Sequence, residues 1–209
     1  MKAVAIIPAY NEETTIGAVI DAVKRVPQVA QVVVVSDGST DRTVHVAKQK
    51  GVRVIDLKTN IGKGGAMKRG IQSTAAGVVL FLDADLVGLT ERHIEALIEP
   101  VADGQAEMSV GLFEGGRMAT DLAQAVAPFL SGQRAVRREI LDEIGDMDIT
   151  RFGIEVALTK HVRARNYRVE NVVLSGLTHR MKEEKLGFAK GLMARLRMYW
   201  EIVRHVQRG

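Results

Sequence analysis

The feature that most constrains this chain is a repeated junction, in which a short apolar run ends abruptly in polar residues. Ala3 to Ile7 leads into "PAYNEE", Val32 to Val35 into "SDGSTD", Val52 to Leu57 toward "NIGKGG", and Val78 to Leu82 into "DADL". Helical patterns separate these runs. Ile16, Val19, Ile20, Val23 and Val26 recur at helical spacing after the first. Asn11 is placed to cap that helix, with Glu12 and Glu13 at its positive end. A second helix is expected over about residues 42–50, closed by Gly51 in a left-handed cap. The glycine-rich stretch "NIGKGGAMKRGIQSTAAG" enters a third, and Thr90 to Val101 reads as a fourth.

Continuous Val/Ile/Leu strands alternating with helices predict an α/β protein, a mostly parallel sheet covered by helices on both faces. In a parallel sheet all strand ends lie along one edge, and ligands of open α/β sheets sit outside the carboxyl ends of the strands. Four polar clusters far apart in sequence are therefore expected to converge.

Composition narrows the class. At 46% hydrophobic and 26% charged residues over 209 positions, the chain has enough apolar surface for one large domain. With no cysteine, disulfides and thiolate chemistry are excluded. A formal charge of +4 permits an anionic ligand without arguing for nucleic acid, and no nucleic-acid partner is expected. "MKAVAIIPAY" reads as a strand rather than a signal peptide, and no run reaches the roughly 18–20 apolar residues of a membrane span. A cytoplasmic protein is expected, with contact to the inner face of a membrane as an option.

The second half is less regular. Met108 to Phe113 and Arg168 to Leu174 read as strands, "EGGRMATD" as a mobile loop, and Gln133 to Ile144 and Ile154 to Arg165 as helices. From Glu183 to about Val206 a long amphipathic helix is expected, with Leu186, Ala189, Met193, Leu196, Trp200 and Val203 on its stripe. Such a stripe packs on its own domain, on a second copy in a homodimer, or on an anionic membrane.

Within the convergent edge, Asp83 and Asp85 alternate on an extended segment and so point the same way. Two close carboxylates repel unless a cation intervenes, and Mg²⁺ or Mn²⁺ binds to carboxylates, water and phosphate oxygens. The pair suits either a solvated turn or a metal-bound diphosphate. Its position after an apolar strand favours the second. Lys63, among Gly62, Gly64 and Gly65, suits an anion held by backbone N–H groups, or simply a flexible helix entry. The spacing is not that of a Walker loop, and no dinucleotide fingerprint follows the first strand. Tyr10 and Asp37 have the chemistry to stack on a base and read its edge, or to be a core-edge aromatic and a turn residue.

In this order, "PAYNEE", "SDGSTD", "NIGKGGAMKRGI" and "DADL" resemble the nucleotide-sugar-binding half of family 2 glycosyltransferases of the GT-A fold. The later "SGQRAVRRE", "FGIEVAL" and "LTHR" look like the acceptor half of glucosyl-3-phosphoglycerate synthases and polyprenyl-phosphate-using relatives. The resemblance implies a single GT-A domain over 1–209, with a nucleotide-sugar half (1–105), an acceptor half (106–182) and a C-terminal helix (183–209). It implies that Pro8, Ala9, Tyr10 and Glu12 line the nucleoside pocket and Asp37 reads the base. Gly62 and Lys63 would lie near the nucleotide, and Asp83 and Ala84 at the ribose or sugar. Asp85 and His179 would hold Mg²⁺ or Mn²⁺, Glu155 would serve beside Asp83 as a candidate catalytic carboxylate, and Arg134 would face the acceptor or a phosphate. The implied reaction transfers a sugar from a nucleotide diphosphate sugar, expected to be UDP-linked, to a small phosphorylated or polyprenyl-phosphate acceptor.

Chemically, that reaction needs stabilisation of the departing diphosphate, which a divalent cation on Asp85 and His179 would supply. Two other readings remain. A nucleotidyltransferase also combines an α/β sheet with carboxylate-held Mg²⁺, but calls for a glycine- and arginine-rich first loop where this chain has "PAYNEE". The other is a non-catalytic nucleotide-sugar-binding protein.

Overall fold

A computed structural model describes residues 1–113, 131–144 and 154–179. The strands are β1 (Ala3–Ala9), β2 (Val29–Asp37), β3 (Arg53–Leu57), β4 (Val78–Phe81), β5 (Leu86–Val87), β6 (Met108–Phe113), β7 (Arg134–Arg137), β8 (Val169–Leu174) and β9 (Thr178–His179). The helices are α1 (Ile16–Lys24), α2 (Thr43–Gln49), α3 (Lys63–Gln72), α4 (Glu91–Ala102), α5 (Arg138–Ile144) and α6 (Ile154–Ala164). Seven strands form one sheet in the order β3-β2-β1-β4-β7-β6-β8, and β5 pairs with β9 in a separate two-stranded ribbon. All neighbours in the large sheet are parallel except β7, which runs against both β4 and β6. The expected α/β architecture with a mostly parallel sheet is therefore present.

β1 shows why the apolar runs are continuous. Ala5 and Ile7 join the core under α1 and α4, whereas Val4 and Ile6 join the opposite core under α3, α5 and α6. Successive side chains point to opposite faces, and here both faces are covered, so every position must be apolar. On α4 the residues Ile94, Leu97, Ile98 and Val101 are all fully buried. Each such side chain contributes about 1.5–3 kcal/mol relative to exposure.

Two local readings are corrected. The helix expected over Gln133 to Ile144 begins only at Arg138, because Arg134–Arg137 form strand β7. Backbone pairing with β4 on one side and β6 on the other, plus burial of Ala135 and Val136, overrides a helical pattern of only a few residues. Nor does Asn11 cap α1. The helix starts at Ile16 with Thr15 at its N-cap, and Asn11, at φ 55°, turns toward the second loop instead. Gly51 does close α2 in the left-handed region, at φ 69°.

The chain divides into a unit Met1–His179 and a second unit, Arg180–Gly209. The long amphipathic helix expected from Glu183 and the "EGGRMATD" loop both lie outside the described residues. Among the described residues no helix is long and apolar enough to cross a membrane.

Candidate active site

The strand order reverses at β1, which has β2 on one side and β4 on the other. Connections leave in opposite directions there, opening a crevice at the carboxyl edge between the ends of β1 and β4. The four polar clusters meet along this edge.

The first two loops are stitched together. Asn11 N–H donates to Ser39 Oγ at 3.2 Å, Thr40 N–H to Asn11 Oδ1 at 2.8 Å, and Glu12 N–H to Thr43 Oγ1 at 2.8 Å. Tyr10 stands 42% exposed above them, while Pro8, Ala9 and Glu12 are buried. Asp37, only 4% exposed, accepts from Ile61 N–H at 2.7 Å and so ties the end of β2 to the glycine loop. Gly38 makes that approach possible: its φ is +72°, and a Cβ there would lie 2.8 Å from Asn60 N. Gly62, at φ +84°, is the N-cap of α3, which starts at Lys63.

Past the end of β4 stand Asp83 and Asp85, with Ala84 buried between them. Asp83 is held from two sides, by Lys63 Nζ at 2.6 Å and by Gln133 Nε2, which donates at 2.8 Å. Asp85 Oδ1 lies 3.0 Å from His179 Nδ1. The ribbon explains how His179 arrives, since β5 follows Asp85 directly and Leu86 pairs with His179 in register. Phe113, at the end of β6, backs the imidazole with ring centroids 4.8 Å apart. Ligand atoms of Asp83, Asp85 and His179 all lie within 4.8 Å of one another. Carboxylate oxygens with one imidazole suit Mn²⁺ or Mg²⁺, so the residues present fit the expected cation.

Glu155 sits in the first turn of α6 and pairs with Lys63 at 2.8 Å. Lys63 thus bridges two carboxylates from different elements. Burial works against its charge, but Asp83 and Glu155 override burial and push its pKa up to about 12. The hydrogen bond to Asp85 holds the His179 pKa above its ordinary value, against burial and with help from the charge of Asp83.

Arg134 lies elsewhere than its sequence context suggests. It is fully buried and offers no surface to an acceptor. Its guanidinium donates to the Ser131 carbonyl through Nε at 3.2 Å and also through Nη2, and to the Glu155 carbonyl through Nη1 at 3.1 Å. Burial lowers its pKa to about 10, with Glu155 and Asp83 opposing the change. Gln133 and Gly132 are the participants that sequence reasoning missed. A strand running against β4 begins where β4 ends, with Arg134 opposite Phe81, so the residues before β7 fall on Asp83. Read as a helix, that segment gave no signal of this.

The chain is similar to known proteins over most of its length. The sequence profile of "Glycosyl transferase family 2" matches residues 4–158. The glucosyl-3-phosphoglycerate synthase of Mycobacterium tuberculosis (strain ATCC 25618 / H37Rv) is 28% identical over 190 residues, covering 73% of this chain and 58% of that protein. The 4,4'-diaponeurosporenoate glycosyltransferase of Staphylococcus aureus (strain MRSA252) is 36% identical over 98 residues, 44% of this chain and 26% of that protein. This chain therefore spans less than two thirds of the length of these curated relatives. The crystal structure of the M. tuberculosis synthase with Mn²⁺ and UDP-glucose superimposes with a TM-score of 0.78 at 27% identity, covering 97% of this chain and 76% of that one. Its complex with phosphoglyceric acid gives a TM-score of 0.77 at 28% identity, with 93% and 76% covered. A profile match across most of the chain places this protein in glycosyl transferase family 2.

Proposed function

We propose that this protein transfers a sugar from a UDP-linked donor to a small phosphorylated acceptor, with Mn²⁺ or Mg²⁺ bound to Asp85 and His179. The observation that carries this is the gathering of Asp83, Asp85 and His179 within 4.8 Å at the carboxyl edge of the sheet. Support comes from the M. tuberculosis structures that contain Mn²⁺ with UDP-glucose and phosphoglyceric acid, and Mg²⁺ with UDP.

In this reading Tyr10 stacks on the base, and the second oxygen of Asp37 accepts from a base N–H. Pro8, Ala9 and Glu12 shape the nucleoside pocket, and Gly62 brings backbone close to the nucleotide. Asp83 faces the ribose and sugar, while Ala84, expected to join it there, is instead buried in the core and only spaces the two aspartates. When bound, the cation offsets negative charge developing on the departing diphosphate. Lys63 adds a second positive charge at the same rim and keeps Asp83 and Glu155 apart by a fixed distance. The anomeric carbon loses its bond to the diphosphate and gains one to the acceptor oxygen, whose proton must leave. Glu155, across Lys63 from Asp83, is the carboxylate placed to hold the acceptor hydroxyl.

UDP release tests this directly. Purified protein with Mn²⁺ is given UDP-glucose and other UDP-sugars, with 3-phosphoglycerate, glycerol 3-phosphate or a polyprenyl phosphate as acceptor. Acceptor-dependent UDP release with a phosphorylated small molecule is expected. Binding of UDP-sugar without release under any acceptor supports a non-catalytic binding protein instead. Release of pyrophosphate from a sugar phosphate and UTP supports a nucleotidyltransferase.

A further inference from the structure

We infer that Arg134 is a positioning residue: from beneath the site, its guanidinium sets the spacing between the element that holds Asp83 and the helix that carries Glu155. This rests on the proposed transfer reaction and deepens it.

The geometry is that of a strut. On one side the guanidinium grips the Ser131 carbonyl through two of its N–H groups. Ser131 begins the short segment that meets Asp83: Gly132 packs against it so closely that a Cβ would lie 2.6 Å from Oδ1, and Gln133 donates to Oδ2 at 2.8 Å. On the other side Nη1 donates to the Glu155 carbonyl at 3.1 Å and to Thr159 Oγ1 at 3.4 Å. Thr159 in turn donates to the same Glu155 carbonyl at 2.8 Å, so the first turn of α6 is tied to the guanidinium by two routes. Lys63 closes the frame from above by bridging Asp83 and Glu155.

The charges balance across this frame. Asp83 and Glu155 supply two negative groups, Lys63 and Arg134 two positive ones. A buried arginine surrounded by carbonyls costs desolvation that an apolar residue avoids, so its presence is not explained by stability alone. A fork of several rigid N–H donors can span two carbonyls on different elements, and a lysine ammonium of similar charge cannot reproduce that shape. Arg134 touches no substrate because it has no exposed surface. Its effect passes through Asp83 and Glu155.

Three variants test this: R134M, which keeps the volume, R134K, which keeps the charge, and R134A, which leaves room for added guanidinium. Each is examined for turnover with the donor and acceptor found active, for UDP binding in Mn²⁺ by calorimetry, and for amide hydrogen exchange in the absence of ligand. A displacement on the order of 1 Å between reacting groups costs about 100-fold in rate. The expected result is a kcat lower by about that factor in R134M and R134K. UDP affinity should fall far less than kcat, because the guanidinium grips the Ser131 and Glu155 carbonyls whereas Asp85 and His179 are tied to each other and to the β5–β9 ribbon, and guanidinium should partly restore R134A. Faster exchange confined to residues 131–134 and 154–159, with β1 and β4 unchanged, completes the expectation.

Wild-type kcat in folded R134M or R134K overturns the inference. So does a rise in acceptor KM with kcat unchanged, which makes Arg134 a contact residue. If R134M does not fold, R134K carries the same tests. If the wild-type protein releases no UDP from any donor, the proposed function fails, and exchange then decides alone. Unchanged exchange at 131–134 and 154–159 ends the positioning role, and localised opening upholds it.

Discussion

The two sides of β4 build the site in opposite ways. From β1 to β4 the strands are parallel, and each delivers its chemistry from the residues that follow it: Tyr10 after β1, Lys63 after β3, Asp83 after β4. Beyond β4 the sheet contains a reversed strand, and β7 delivers its chemistry from the residues that precede it, Gly132 and Gln133. The lesson is that one edge can be supplied from both directions. The residues after the parallel strands include charged groups of the candidate site such as Lys63 and Asp83, whereas the residues leading into β7, Gly132 and Gln133, support Asp83.

The largest expected effect breaks the parallel side. Asp85→Ala removes a proposed metal ligand from a segment just past β4. Loss of a group that merely supports a ligand typically costs about 10–100-fold in metal affinity or activity, so removing a ligand itself is expected to weaken UDP binding in Mn²⁺ by at least about 100-fold. Binding in the presence of EDTA should change little, and the melting curve should keep its shape. Calorimetry showing equal UDP affinity in Mn²⁺ for both proteins would falsify the assignment of Asp85.

The next test applies the same steric insult to both sides. A Cβ on Gly132 would lie 2.5 Å from Asp83 Oδ2 and 2.7 Å from Lys63 Nζ. A Cβ on Gly70, in α3, would meet the Ile6 side chain in the core. Overpacking in a core costs about 1–3 kcal/mol, so Gly70→Ala is expected to melt clearly earlier, and Gly132→Ala less so, because the atoms it meets are the ends of the Asp83 and Lys63 side chains. Only Gly132→Ala should also lower kcat, because only there does the displaced neighbour belong to the site. Equal kcat losses in the two variants, corrected for folded fraction, would remove the distinction between supports and core.

A third expectation concerns pH. Asp85 raises the His179 pKa above 6.5, the value of a free imidazole. The His179–Asp85 contact therefore stabilises the metal-free protein fully below pH 6.5 and loses that contribution as pH rises through the raised value. A cation needs the neutral imidazole, so protons compete with it over the same window. Mn²⁺ affinity is expected to climb by up to about tenfold per pH unit and to level off above the folded-state pKa. Titrations at several pH values check this, and His179→Gln should flatten the curve. A flat curve in the wild-type protein would take His179 out of the ligand set.

The same contrast explains what was legible in the sequence. On the parallel side, strand and chemistry are adjacent in the chain: "LFLDAD" shows both the buried run and the carboxylates at its end. The sheet, its two covered faces and the convergence of four clusters followed from that adjacency. β7 was hidden because four residues, Arg134–Arg137, are too few to display a period, and their extended conformation comes from neighbours 50 or more residues away in β4 rather than from their own pattern. The burial of Arg134 was hidden for a related reason, as an arginine usually signals solvent and only its carbonyl partners reveal otherwise. His179 was placed by resemblance alone, because a two-residue strand such as β9 leaves no periodic trace.

The smallest expected effect lies far from the crevice, where β6 and β8 begin side by side. Glu107 accepts from the Arg168 guanidinium at 2.6 Å and from Arg168 N–H at 2.8 Å, while Glu107 N–H donates to the Arg168 carbonyl at 2.9 Å. The side-chain hydrogen bond from Arg168 is the main reason that the Glu107 pKa lies below 4.5, with burial opposing it. A lowered carboxylate pKa means that the contribution is present above pH 4.5 and fades as pH falls through the folded-state value. Arg168 is well exposed, so solvent screening keeps the pair's contribution small. Glu107→Gln is therefore expected to lower stability slightly near neutrality, and the gap from wild type should close on acidification, as read by denaturant unfolding at each pH. UDP and Mn²⁺ binding should not change, since this clamp sets the register of two strands at the edge opposite the site. A gap that persists at low pH would mean that Glu107 acts through packing and its backbone contact instead of its charge. A loss of UDP binding would mean that the register of β6 and β8 reaches the crevice through Phe113, and the division between the two sides of β4 would be less sharp than their topology makes it.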